Sequence, residues 1–278
     1  PADRPQLDLF QDSTVLVLEE EIRRALVERR TDLARELAAR LLREAPRHRH
    51  LQGFLRLIQV SDAGNLASPG ERLAELLAIE PVARELLGYR ERDFLAPHWS
   101  ALAESLSGRP FDAAAPRLHA SFPWARAGRW EAARRAIEAE GGWRSEPALL
   151  LVHAEACHRQ GDRMAALEDW VRLCWEHPVE AERALAAPGF PDPRLAERWA
   201  DFGDLDPPLD TEDFPAWLLL QEPSIAVSVT PDSLPADERH AAYGLLRRLV
   251  AGEDDIELRR ELSEIHPRLL SLFLARRG

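Results

Sequence analysis

Residues 147–178 read PALLLVHAEACHRQGDRMAALEDWVRLCWEHP, and this stretch decides the fold. Apolar residues recur at helical spacing on both sides of Gly161-Asp162. Glycine allows the tight turn that joins two antiparallel helices. Ala166 is small enough for those helices to approach, and Trp170, one turn later, fills the next gap. Pro178 closes the segment.

Working outward, a weaker copy precedes this one. Gly128, Trp130, Ala133 and Ile137 repeat the turn and the second helix, while Pro116 and Pro123 interrupt the first. The turns at 128 and 161 are 161 − 128 = 33 residues apart, and a fixed period in this range marks repeat architectures. A third candidate spans Val15 to Pro46, with Ala34, Leu41 and Pro46 in register and Arg29 in the place of the turn glycine.

These segments resemble tetratricopeptide repeats, and the best match is 147–178. Gly161, Ala166, Trp170 and Pro178 fill the family's turn, small-residue, aromatic and closing places. Leu150 stands where the family usually has Trp, His153 where it has Leu, and Arg163 where an aromatic is common. The resemblance implies an all-α fold, an α-α superhelix or solenoid of helix hairpins, presenting a curved surface to peptides or partner proteins. Its groove-facing places fall on Leu151, Glu155, His158 and Arg159. They are mixed in character and do not form a basic clamp for a C-terminal carboxylate.

Outside the repeats, two prolines and no helical period in residues 1–12 predict a flexible tail. A helix is expected from near Ser13 or Thr14, with Val15, Leu18, Ile22 and Leu26 as its stripe. Thr31 opens the next, with Leu33, Leu37 and Leu41. Further helices are expected at about 49–60, from Ser68-Pro69 to a stop or kink at Pro81, and at 97–106. Ten of the 21 prolines fall between 178 and 235. Short helices are expected there at 193–202 and 213–221, with residues 225–229 an extended loop. Two helices at about 235–251 and 254–276 close the chain, the last one kinked or split at Pro267. The domain reading is a tail over 1–12, repeats over 13–180, and an irregular helical part over 181–278 packed on the repeats.

Composition narrows the function. The 278 residues carry a formal charge of −12, which argues against direct nucleic-acid binding, since that needs a basic face. There is no lysine, so neither a Schiff-base nor a phosphate-loop lysine exists. Two cysteines make no disulfide framework. No apolar run nears the roughly 18 residues of a membrane span, and the first residues lack a signal-peptide order. A cytoplasmic location is the expectation.

Gln6-Leu7-Asp8-Leu9-Phe10 resembles the pentapeptide by which bacterial replication and repair proteins dock on the DNA polymerase sliding clamp. The resemblance implies that Gln6 reaches one sub-pocket and Leu9-Phe10 a deeper apolar one. The competing expectation is that these side chains pack back on the first helix. His153, Cys157 and His158, with Cys174 and His177 on the following helix, could be drawn as a metal site, but the cysteines read as buried small hydrophobes and no metal is assigned. Glu19-Glu20-Glu21, Glu168-Asp169 and Asp254-Asp255 read as solvated faces. Trp124, Trp130, Trp143, Trp170 and Trp175 read as packing between helices. The segment 209–223, with Phe214, Trp217 and Leu218 to Leu220, reads as a clasp on the helical body.

The sequence thus points to a non-enzymatic interaction or adaptor protein. It implies no cofactor, a protein or peptide partner, the sliding clamp through the N-terminal peptide, and neither nucleic acid nor membrane. The alternative is an enzyme or small-ligand-binding protein with its site in the C-terminal helical third.

Overall fold

A computed structural model describes residues 6–62, 68–224, 238–253 and 255–276, with the backbone alone described at 6–13 and 238–239. Among these residues every regular element is a helix, as the Ala-, Leu-, Arg- and Glu-rich composition favours. None is long and apolar enough to cross a membrane. The chain divides into two compact units, Pro1–Ala136 and Ile137–Gly278. The stretch read as 13–180 is therefore shared between them.

The first unit holds α1 (Gln6–Val27), α2 (Thr31–Glu44), α3 (Leu51–Asp62), α4 (Pro69–Leu87), α5 (Glu91–Leu106) and α6 (Ser121–Arg126), and α7 (Trp130–Glu138) begins in it. The expected stripes form its core. Leu18, Ile22 and Leu26 meet Leu37 and Leu41, then Phe54, Leu57, Leu76, Ile79 and Trp99. Val15 and Leu33 pack partly buried against it.

Three boundaries differ from expectation. Helix α1 starts at Gln6 and not near Ser13, so Gln6 to Phe10 form its opening turns. Helix α4 continues through Pro81 to Leu87. An interior proline costs about 3 kcal/mol. Here it is offset by five buried side chains, Leu76, Ile79, Ala83, Leu86 and Leu87, and by the Ser68–Glu71 capping box at the start. Helix α5 begins six residues before Pro97, because buried Phe94 and Leu95 hold its first turns on the core.

The acidic run at 19–21 is not a solvated face throughout. Glu19 is buried, on the side of α1 that carries Ile22 and Leu26. The same correction applies to Asp169, which is buried, while Glu168 is exposed.

The second unit holds the end of α7, then α8 (Pro147–Arg159), α9 (Arg163–Glu176), α10 (Pro178–Leu185), α11 (Pro193–Gly203), α12 (Phe214–Gln221), α13 (Glu238–Val250), α14 (Ile256–Ile265) and α15 (Pro267–Ala275). Pro178 ends one helix and opens the next, a position where its missing N–H costs nothing. Helix α12 is buried from Phe214 to Leu220, on every side. A helix apolar all round belongs to a core, so this segment is the unit's central helix and not a clasp laid over it. The last helix splits at Pro267. His266 caps α15 by accepting the Leu269 N–H at Nδ1, and its Nε2 lies 3.2 Å from the buried Asp213. The 225–229 stretch lies outside the described residues.

One turn recurs. After α1 the Arg30 N–H donates to Ala25 and Arg29 N–H to Leu26, with Arg29 at φ 60°. After α6 the same pair of bonds runs from Arg129 to Trp124 and from Gly128 to Ala125. After α8 it runs from Asp162 to Cys157 and from Gly161 to His158, with Gly161 at φ 84°. This is a Schellman closure with a left-handed residue just past the helix. In all three cases the next helix starts two residues after the left-handed one.

Candidate functional site

Helices α8 and α9 pack as an antiparallel pair. Asp162 caps α9 by accepting the Ala165 N–H at 3.2 Å. Cys157 and Cys174 are both free and buried in this pair, and burial pushes the Cys174 thiol up.

The four residues expected to face a groove share a half-exposed strip of α8. Leu151, Glu155 and His158 are half-buried and Arg159 is exposed. Glu155 and Arg159 pair with each other at 3.3 Å. His158 Nδ1 lies 3.7 Å from Asp192, which connects it to a concavity of the unit.

That concavity is a cleft of about 330 Å³ where α9, the start of α11 and the end of α12 converge. Its apolar lining is Met164, Leu167, Leu195 and Leu218. Arg163, Asp192, Arg194 and Glu222 edge it. Asp192 is fully used. It accepts the Arg194 and Leu195 N–H groups, capping α11, and also pairs with Arg163 at 3.8 Å. Glu222 pairs with Arg198 at 3.4 Å. Met164, at the mouth, is 41% exposed. The volume sits at the small end of ligand pockets, enough for one or two anchoring side chains.

Of the drawn metal set, the structure brings together only His153 and Cys157, and it adds Asp169. Asp169 Oδ2 lies 2.5 Å from His153 Nδ1. Cys157 Sγ is 3.6 Å from Nδ1 and 3.9 Å from Nε2. Asp169 already holds Nδ1, and all three side chains are buried. The cluster is no nucleophilic triad, which needs Cys and Asp on opposite ring nitrogens, and Cys157 is fully buried.

The cluster holds a buried, hydrogen-bonded pair, in which burial also pushes the Asp169 carboxyl up. Burial opposes the charged imidazole, but the bonds to Asp169 and Cys157 together outweigh it and hold His153 up to about 10. Trp143 packs against the ring, tilted by 40° with the centroids 4.2 Å apart, and Glu138 faces Nε2 at 3.4 Å. Trp143 and Trp170 are buried, as expected for packing residues; Trp124, Trp130 and Trp175 are half-buried. Asp169 was hidden in the sequence because its partner is 16 positions away on another helix.

The fold and this cleft define an all-helical protein whose concave surface is apolar at its floor and charged at its edge. No protein-family model, no curated protein and no solved structure matches the chain.

Proposed function

We propose that the chain is a non-enzymatic interaction protein built on tetratricopeptide-like hairpins, and that the cleft between α9, α11 and α12 receives an apolar anchor residue of a partner peptide. The observation that carries this is the cleft's composition, four aliphatic residues edged by two arginines and two carboxylates. Interfaces with an apolar centre and a polar rim draw most of their energy from a few buried anchors. The two-residue step from the Schellman turns at 29, 128 and 161 to the next helix supports the repeat-like reading, since the same turn at Gly252, outside the candidate hairpins, is followed by a longer link. The N-terminal peptide Gln6 to Phe10 would recruit the protein to a sliding clamp. Its backbone is helical here, so docking as an extended peptide requires those turns to unwind.

The test is a peptide-display selection on the full chain, compared with Met164→Arg, a substitution at an exposed position that leaves the core intact. The wild type selects peptides sharing one large apolar residue, and the variant binds them at least tenfold more weakly. Absence of a consensus, or equal binding by both proteins, overturns the cleft. In a parallel arm, a peptide of residues 1–14 is titrated against a purified clamp with Leu9→Ala and Phe10→Ala as controls. No saturable binding ends the clamp reading.

A further inference from the structure

Glu19 of α1 is a buried carboxylate without a role in the cleft. It meets the two histidines of the turn before α3. His50 Nδ1 lies 2.7 Å and His48 Nε2 3.3 Å from the same oxygen, Glu19 Oε1. All three donor atoms fall within 4.8 Å of one another. The side chains of His48 and His50 are 18% and 15% exposed, against 6% for Glu19. The cluster is thus anchored from below and reached from solvent.

We infer that Glu19, His48 and His50 form a binding site for one divalent transition-metal ion of the class that imidazole favours, represented by Zn²⁺. Two imidazoles and one carboxylate are a common protein donor set for such ions, and three ligands leave positions for water or a further ligand. Metal–donor bonds of about 2.1 Å require donors roughly 3.0–3.4 Å apart in octahedral or tetrahedral geometry. Of the three edges, the one at 3.3 Å already has that span, the one at 2.7 Å opens by a few tenths of an ångström, and the edge between the two imidazole nitrogens, within 4.8 Å, adjusts to it.

The surroundings hold the ligands. Arg23 binds the other oxygen, Glu19 Oε2, at 3.3 Å and leaves Oε1 for the ion. Arg23 is itself fixed by the Leu86 carbonyl at 2.8 Å and lies 5.8 Å from the Phe54 ring centre. Both histidines sit on short, hydrogen-bonded backbone. The His48 N–H donates to Ala45, and the His50 carbonyl accepts from Phe54 as α3 begins.

Two features oppose a cation and set the affinity. Arg23 is positive, and the first turn of α3 carries the positive end of a helix dipole. Without metal, each ring nitrogen facing Glu19 donates its proton there. Binding moves the proton to the other nitrogen, and His48 then gives up its 3.4 Å contact with the His50 N–H. The expected dissociation constant is therefore micromolar, weaker than that of a closed structural zinc site.

The test uses the full chain without a His-tag, stripped with chelator and titrated with Zn²⁺ by calorimetry and with Co²⁺ by absorption. One ion binds per chain. His48→Gln and His50→Gln each weaken binding at least tenfold while circular dichroism stays helical, and Zn²⁺ raises the melting temperature of the wild type but not of His48→Gln. No saturable binding, or binding unchanged in both variants, overturns the assignment. A thiolate charge-transfer band in the Co²⁺ spectrum also overturns it, because that places the ion at Cys157.

Discussion

At the residue scale, the buried pair of His153 and Asp169 makes stability depend on pH. The folded imidazole is held up to about 10, against an ordinary 6.5. Between those values the folded chain keeps a proton that the unfolded chain has released. The stabilisation is complete below about 6.5 and is lost as pH rises through 10. Asp169→Asn removes the partner and leaves a buried imidazole, at a cost of about 3 kcal/mol, the low end for a broken buried pair because histidine can deprotonate. Urea titrations from pH 6.5 to 10 check this. The wild type loses stability across the window and Asp169→Asn shows a flatter profile. Parallel profiles would mean that the pair carries no proton linkage. His98 adds the opposite trend. Burial, followed by the Arg72 and Arg29 guanidinium charges, holds it down to about 4, so its contribution is lost as pH falls below 6.5.

At the element scale, the hairpin closures decide where helices stop. Gly161 and Gly128 take left-handed backbone without strain, and Arg29 takes the same conformation with a side chain. A non-glycine residue there costs roughly 1–2 kcal/mol, partly returned because arginine restricts the unfolded chain more than glycine does. Arg29→Gly is expected to stabilise the chain by about 0.5–1 kcal/mol, and Gly161→Ala to destabilise it by about 1 kcal/mol. Both are read as shifts of the urea midpoint at unchanged slope. A loss of stability in Arg29→Gly would show that the arginine side chain itself holds the turn. The α8–α9 hairpin was legible from Gly161, and the turn after α6 from Gly128, because a turn glycine acts locally. The continuation of α4 past Pro81 was not legible, because it depends on what the helix buries on distant elements.

At the scale of the whole molecule, the chain forms two compact units divided near 136. Two units, each with its own core, predict a calorimetric enthalpy larger than the van't Hoff value. Asp169→Asn, within the second unit, lowers the midpoint of one component and leaves the other in place. A single transition that shifts as a whole would show that the two units unfold as one.

The sequence by itself determined most of the helices, the turn glycines at 128 and 161, and the apolar stripes that became the core of the first unit. These follow from periodicity and backbone sterics acting over a few residues. It also singled out the segment 147–178 as two helices joined at Gly161, while the half-exposed strip of Leu151, Glu155, His158 and Arg159 came from the structure. Only the tertiary structure decided that Asp192 joins His158 to a cleft, that α12 is the central helix of its unit, and that Glu19 lies under His48 and His50. Those groups meet across 29 to 34 residues of chain, and the packing that brings them together is set by the volume and shape of many side chains at once.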